Sequence, residues 1–164
     1  MLIRVLSAAL TALVPIEANA VCIHDGKDNP RTTLSEEFAE SRWVVRARVT
    51  SAKDHWADEG YSWTVYRLHL LESFKGSPPQ NIIFYTRRDS GGFFMDIPWK
   101  GHDIGGEYLL FLRPFPARII DPPIAQRATF VNYECGQSRP WHKVSKVNRR
   151  QLLSLSAQHP KASK

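Results

Sequence analysis

The sequence has few of the residues that build metal or redox centres. It contains two cysteines among 164 residues, Cys22 and Cys135, so no Cys-x-x-Cys pair is present. The six histidines are scattered, with no His-x-x-x-His pattern and no His-Glu pair at helical spacing. These absences argue against zinc-ribbon, thioredoxin-type and zincin sites, and we expect neither a metal nor another cofactor.

Nucleophile motifs are also missing. No Gly-x-Ser-x-Gly sequence occurs, and Ser90-Gly91-Gly92 is typical of a turn. The carboxylate pairs Glu36-Glu37 and Asp58-Glu59 are adjacent in sequence and indicate solvated charges. The sequence therefore predicts no catalytic residues and a protein that is not an enzyme.

No apolar run approaches the roughly 20 residues that a membrane-spanning helix requires. Residues 1–20 instead have the pattern of a secretory signal: Arg4 precedes an apolar run, and Ala18-x-Ala20 is a small-residue cleavage site. We expect cleavage between Ala20 and Val21, and localisation in the periplasm or outside the cell, with no transmembrane anchor. Two cysteines in an oxidising compartment most often pair, which predicts a Cys22–Cys135 disulfide worth about 4–5 kcal/mol at most.

The formal net charge of +6 is moderate and allows an anionic partner without requiring one. Since the chain is expected to be exported, nucleic acid is not expected as a ligand. Another envelope or extracellular protein is the expected partner, and an anionic glycan is the alternative.

Periodicity predicts a β-rich domain. A short helix capped by Thr33 is followed by a strand over 42–49 with Val44 and three arginines on its outer face. A change of apolar phase at Val65 and Tyr66 predicts a β-bulge or a sharp bend in the strand 61–74. Further strands are predicted over 81–86, 107–112 and 127–133, and a C-terminal amphipathic helix is predicted from Val144, Val147, Leu152, Leu153 and Leu155.

The expected fold is mainly β: a small closed antiparallel barrel (OB-like), with a short N-terminal helix and a C-terminal amphipathic helix. We expect one domain over 21–158 and a disordered tail over 159–164. Two surfaces are candidates for binding. The first is a basic face with aromatic residues, and the second is the apolar connection after residue 87, whose aromatic residues could alternatively cap a barrel mouth. The first comprises Arg46, Arg48, Arg67, Trp63 and Tyr66, and the second Phe93, Phe94 and Trp99.

The order of these features resembles the exported bacterial form of the netrin-like family, the OB-fold family that includes the tissue inhibitors of metalloproteinases. The resemblance lies in Cys22 directly after the signal segment, in Thr64-Val65-Tyr66-Arg67-Leu68, in Gly105-Gly106-Glu107-Tyr108-Leu109-Leu110-Phe111, and in the late Cys135-Gly136. It implies an OB-like barrel that acts as a non-enzymatic binding module.

The resemblance also implies an alternative function, inhibition of an envelope or extracellular hydrolase. In the animal inhibitors the amine and carbonyl of an N-terminal cysteine chelate the zinc of the target protease. Here Val21 occupies the expected first position, and the Cys-x-Cys of the family is absent. We therefore expect a binding module first, an inhibitor or an envelope polyanion binder second.

Overall fold

The structure is a computed structural model. It describes residues 23–24, 27–28, 32–56, 62–88, 92–132 and 136–159, and for residues 23–24 and 27–28 it describes the backbone only. The expected signal segment, both cysteines of the expected disulfide and residues 160–164 of the expected tail lie outside the described residues.

The described part of the chain is mainly β, with a short N-terminal helix and a C-terminal helix, as predicted. Two single 3-10 turns cover Pro123–Arg127 and Trp141–Lys143. In chain order the other elements are β1 (Ile23–His24), β2 (Lys27–Asp28), α1 (Leu34–Glu40), β3 (Trp43–His55), β4 (Trp63–Lys75), β5 (Asn81–Arg87), β6 (Asp96–Ile97), β7 (Gly101–His102), β8 (Glu107–Pro114), β9 (Thr129–Phe130), β10 (Arg139–Pro140) and α2 (Lys146–Gln158).

The main sheet has the strand order β10-β8-β3-β4-β5-β9, and β9 also pairs with β8. Every pair in it is antiparallel except β5–β9, where Phe84 lies opposite Thr129 in a parallel pair. This pair departs from the antiparallel expectation. A parallel pair needs a long crossover, and the chain between β5 and β9 supplies one.

Helix α1 begins where the sequence predicts. The Thr33 hydroxyl accepts a hydrogen bond from the Glu36 amide at 3.2 Å, and the Glu36 carboxylate accepts one from the Thr33 amide at 2.7 Å. This capping box satisfies the first free amides of the helix. At the other end the Lys75 ammonium donates to the carbonyls of Phe38 and Ala39 at 2.6 and 2.8 Å, so β4 supplies the cation that the C-terminus of α1 lacks.

Strand β3 is buried on both faces at its N-terminal end. Val45, Ala47 and Val49 belong to the main core, as the alternation predicts. Val44 was predicted on an exposed basic face but is fully buried in a second cluster with Phe38 and other side chains of α1 and α2. The prediction is wrong at Val44 because the two helices cover this part of the outer surface.

Strand β4 keeps one phase where the sequence predicts a change. Thr64, Tyr66 and Leu68 are buried in strict alternation, while Trp63 and Val65 on the opposite side pack against a third cluster around Tyr85. Apolar residues occur at both odd and even positions of β4 because both sides of the strand are covered. The register shifts at Val44/Val45 and Arg46/Ala47 each skip one residue of β4, Phe74 and Leu71, so the irregularity predicted for this strand lies near its C-terminal end and not at Val65 and Tyr66. The third shift, at Val49/Ser51, skips a residue of β3.

The later elements agree with the sequence only in part. Strand β8 is apolar on both faces as predicted: Leu110 and Leu112 lie in the main core, and Leu109 and Phe111 in the second cluster. The strand predicted over 127–133 is reduced to β9, because a 3-10 turn precedes it.

Helix α2 buries a narrower face than predicted. Leu152 is fully buried in the second cluster and Leu155 packs against it, whereas Val147 and Leu153 are 63% and 56% exposed. Successive helix residues point about 100° apart, so Leu152 and Leu153 cannot share one face. The prediction that Val147 and Leu153 join the buried face is wrong.

The neighbouring leucines of α2 test this orientation. Leu152→Ala removes a fully buried side chain and is expected to lower the free energy of unfolding by about 2–5 kcal/mol. Leu153→Ala, the matched control, is expected to change it by less than about 0.5 kcal/mol. Urea denaturation followed by circular dichroism measures both values, and equal losses would contradict the orientation.

Candidate binding surface

The connection after β5 contains a small hairpin that the sequence does not predict. Strands β6 and β7 pair Asp96 with His102 and Ile97 with Gly101. The turn closes with a hydrogen bond of 3.0 Å from the Lys100 amide to the Ile97 carbonyl. The sequence at the tip, Pro98-Trp99, is that of a type II turn, in which proline occupies the second position and a residue with positive φ the third.

Trp99 holds that third position with φ of 65°, among the described residues the one non-glycine with positive φ. Its relative solvent exposure is 103%, so no other described residue covers the side chain. A left-handed conformation costs a non-glycine residue about 1–2 kcal/mol, and glycine is the usual residue in such turns. Neither local geometry nor packing explains a tryptophan here, which favours a role in contact with another molecule.

The base of the hairpin is fixed to the core. Met95, directly before β6, is fully buried in the main core. Its carbonyl accepts a hydrogen bond from the Asp103 amide at 2.8 Å. The hydroxyl of Tyr66, a fully buried residue of β4, donates to Asp96 Oδ1 at 3.0 Å and accepts from the Met95 amide at 3.3 Å. The exposed tip is therefore carried by a rigid base.

His102 lies between two carboxylates. Its Nδ1 is 2.7 Å from Asp96 Oδ1, and its Nε2 is 3.2 Å from Asp54 Oδ2. Each ring nitrogen therefore faces a carboxylate oxygen. The ring also meets the edge of Tyr66, with centroids 5.4 Å apart. His102 thus ties the hairpin to the end of β3.

Arg88 extends this network to the end of β5. Its Nη2 donates to Asp54 Oδ1 at 2.8 Å, and its Nε donates to the Thr64 hydroxyl at 2.7 Å. The Thr64 hydroxyl donates to the same Asp54 oxygen at 2.6 Å. The guanidinium lies 5.1 Å from the ring centroids of both Trp56 and Phe94. Four segments of chain are held together here by one charged group.

The network changes the pKa values of its members. Burial raises the pKa of Asp54, but the hydrogen bonds from Thr64 and Arg88 and the charges of Arg88 and His102 outweigh burial, so the net pKa is lowered. Burial and the carboxylate of Asp96 raise the pKa of Tyr66. The lowered pKa keeps Asp54 ionised, so that it accepts hydrogen bonds, and the raised pKa keeps Tyr66 protonated, so that it donates one to Asp96.

The three aromatic residues predicted as a recognition loop have different environments. Phe93 packs against the main core, with its ring against the edges of Phe84 and Tyr108. Phe94 is half-buried beneath Arg88. Trp99 alone of the three is fully exposed. Phe93 thus covers the core, as one alternative predicted, and Trp99 is exposed, as the recognition alternative requires.

The predicted basic face is not a continuous aromatic platform. Tyr66 points inward and is fully buried with its hydroxyl on Asp96, which corrects its assignment to a binding surface. Trp63 lies on the opposite side of β4, half-buried and stacked on His55 at 5.0 Å. Residues of odd and even number in a strand point to opposite faces, so these two rings cannot form one platform.

The three arginines of that face do lie on the outer side of the sheet, and two of them share one carboxylate. Arg46 Nε and Arg48 Nη2 donate to the two oxygens of Glu107 at 2.9 and 2.7 Å. Hydrogen bonds from Arg48 and Arg46 lower the pKa of Glu107. Arg67 is exposed and lies opposite Ser51 of β3 and Ile83 of β5. The pair with Glu107 offsets part of the predicted positive charge.

Sequence reasoning missed the partners that hold the Trp99 hairpin. Asp54 and Arg88 could not be singled out because they are 34 residues apart in the chain. Asp54 lies in β3, and Arg88 directly follows β5. Alternation from Val45, Ala47 and Val49 would place Asp54 on the outer face, and the register shift at Val49/Ser51, which moves the inward positions to Ala52 and Asp54, has no signal in the sequence.

The described residues contain no group of three or more His, Cys, Asp and Glu side chains arranged to hold a metal ion. Within the same residues, no helix has the length and apolar character needed to cross a membrane.

Comparison with known proteins gives no match: no protein family matches the chain, and no curated protein sequence matches it.

Acid titration tests the Asp54 network. A carboxylate whose folded pKa is lowered contributes stability that is present above its unfolded pKa and is lost as the pH falls through the folded pKa. We expect the free energy of unfolding to fall below about pH 5, and to fall less steeply in Asp54→Asn. At pH 7 this variant should lose about 1.5–3 kcal/mol.

The control for this titration is Glu72→Gln, which changes an exposed carboxylate of β4. Urea denaturation at several pH values measures each variant. Parallel curves for wild type and Asp54→Asn would contradict the assigned network.

The strain at Trp99 has a separate test. Trp99→Gly relieves the left-handed conformation but adds backbone freedom to the unfolded chain, and the two effects differ by at most about 1 kcal/mol. We expect this variant to be as stable as wild type or up to about 1 kcal/mol more stable, as measured by thermal unfolding. Trp99→Ala, which keeps the strain, serves as the comparison. A clear loss of stability in Trp99→Gly would show that the ring supports the fold.

Proposed function

We propose that this protein is an exported, non-enzymatic binding module of the netrin-like type, and that its main sheet is a small closed OB-like barrel. The strand pairs support the barrel: β3–β4, β4–β5, β5–β9, β9–β8 and β8–β3 return to the starting strand. An OB-fold is a five-stranded Greek-key barrel, and this ring also consists of five strands. The two helices pack outside this ring, against its second cluster.

The observation that carries the proposal of binding is the position of Trp99. A large aromatic ring stands fully in solvent, in a backbone conformation that disfavours it. The base below it is fixed by Met95, Asp96 and His102. Preorganised loops lose little conformational entropy on binding, and tryptophan is enriched among residues that dominate binding energy at protein interfaces.

The surroundings of the hairpin favour a protein partner. Trp56 is 71% exposed beside Arg88. On the other side of the β5 end, the loop with the exposed Ile119 is held by the ion pair of Arg87 and Asp121 at 2.8 Å. Arg87 and Arg88 are paired with carboxylates at this end while large apolar side chains are exposed, and exposed apolar side chains with few free charges are typical of a protein interface core.

The same rigid, protruding hairpin supports the alternative, an inhibitor of an envelope or extracellular hydrolase. A preformed convex loop can enter a substrate cleft at low entropic cost. This alternative uses the Trp99 hairpin and does not depend on the N-terminal residue Val21.

The test is a pull-down from detergent-solubilised envelope extract with the disulfide-intact protein, eluted by a salt gradient. We expect wild type to retain one protein beyond about 0.5 M salt, where separated charges are screened. Trp99→Ala should lose that protein, and Leu71→Ala, at an exposed residue of β4, should keep it.

The outcomes separate the functions. If the retained protein is a hydrolase and its activity falls stoichiometrically with added wild type but not with Trp99→Ala, the module is an inhibitor. Equal retention by wild type and Trp99→Ala would overturn the assignment of the hairpin. Release of every ligand at low salt would overturn the proposal of a protein partner in favour of polyanion binding.

A further inference from the structure

The positive charge of the chain is concentrated at its C-terminal end. Residues 1–134 contain fifteen Lys and Arg against sixteen Asp and Glu, whereas residues 135–164 contain seven against none. The whole net charge of +6 therefore belongs to the last thirty residues. The seven are Arg139, Lys143, Lys146, Arg149, Arg150, Lys161 and Lys164.

Helix α2 presents part of this charge on an exposed face that is also apolar. Lys146, Val147, Arg150 and Leu153 are all exposed. At about 100° per residue they lie within one arc of roughly 120° on the helix surface, opposite the buried Leu152. The outer face of α2, defined by these four exposed residues, is thus a basic face with two large apolar side chains.

The orientation of this face is fixed by the contacts of the inner side. Leu152 is fully buried in the second cluster, and Gln151 Nε2 donates to the Ser35 hydroxyl of α1 at 3.1 Å. Arg149 lies over the Trp141 ring at 4.5 Å and donates to the Trp141 and Val144 carbonyls at 3.1 Å each. Because these contacts hold the helix, Val147 and Leu153 cannot turn inward without breaking them.

The nearest helix, α1, does not neutralise the outer face. Its carboxylates have other partners: Glu36 closes the capping box on Thr33, and Glu40 pairs with Arg113 of β8. Helix α2 itself carries no acidic residue. The outer face therefore keeps its positive charge, and a complementary surface must be anionic.

We propose that the outer face of α2 docks the protein on an anionic phospholipid bilayer. Lys146 and Arg150 would meet lipid phosphates, and Val147 and Leu153 would enter the boundary between headgroups and acyl chains. A dissolved polyanion would use the charges but would gain little from the two apolar side chains. This surface lies on a different element from the Trp99 hairpin, so the inference goes beyond the proposed function.

Vesicle co-sedimentation tests the proposal, with the full chain expressed so that any processing of the N-terminus takes place in the cell. The probes are vesicles of phosphatidylcholine alone and vesicles with about 30% phosphatidylglycerol. We expect wild type to bind the anionic vesicles at low salt and not the neutral ones, and added salt to weaken the binding.

Three variants assign the contact. Lys146→Glu/Arg150→Glu should abolish binding to anionic vesicles, and Val147→Ser/Leu153→Ser should weaken it at least about fivefold, because the apolar contribution is lost. Leu71→Ser, the matched control at an exposed aliphatic residue of β4, should bind as wild type does. Thermal unfolding of each variant checks the fold, which exposed substitutions should leave intact.

Two results would overturn the proposal. Failure of wild type to bind anionic vesicles excludes bilayer docking. Unchanged binding by Val147→Ser/Leu153→Ser, together with loss in Lys146→Glu/Arg150→Glu, would mean that the face binds any polyanion by charge alone.

Discussion

The structure depends on the pairing of β3 with two strands at once. Its first six residues pair with β8, and nearly its whole length pairs with β4. Such a strand has no free edge along its first half, and because apolar side chains occur on both of its faces, each face must be covered. Val45 and its alternating neighbours meet the main core, and Val44 on the other face meets the helices. The position of α1 and α2 follows from this requirement.

The same strand also positions the base of the Trp99 hairpin. Beyond its register shift at Val49/Ser51, β3 continues to His55 and brings the Asp54 carboxylate to Arg88 and His102. A charged cluster of this kind is costly to bury unless every member is paired. Here each carboxylate oxygen of Asp54 has a partner, and the result is a rigid base under a strained tip. The ion pairs of Asp54, Arg88 and His102 stabilise the base of the hairpin, and this stabilisation offsets the strained backbone conformation of Trp99.

The two proposed surfaces differ in their charge. The Trp99 hairpin and its neighbours combine paired charges with exposed rings, whereas the outer face of α2 combines basic residues with two aliphatic side chains. We propose different partners for the two surfaces, a protein for the first and an anionic bilayer for the second. A protein held at a membrane by one surface would present the other to partners in the same compartment, which raises their effective concentration.

Local patterns by themselves determined much of this protein. The Thr33 capping box, the alternation of β3 from Val45 to Val49 and the doubly apolar β8 follow from side chains within one element, because such signals act over four to eight residues. Tertiary structure alone decided the burial of Val44, the inward direction of Tyr66, the exposure of Leu153 and the parallel pair of β5 and β9. Each of these depends on which element covers a face, and that is set by contacts between residues far apart in the chain. The Trp99 hairpin belongs to the second group: Trp99 is visible in the sequence, but the contacts of Asp54, Arg88 and His102 that fix its base are brought together only by the fold.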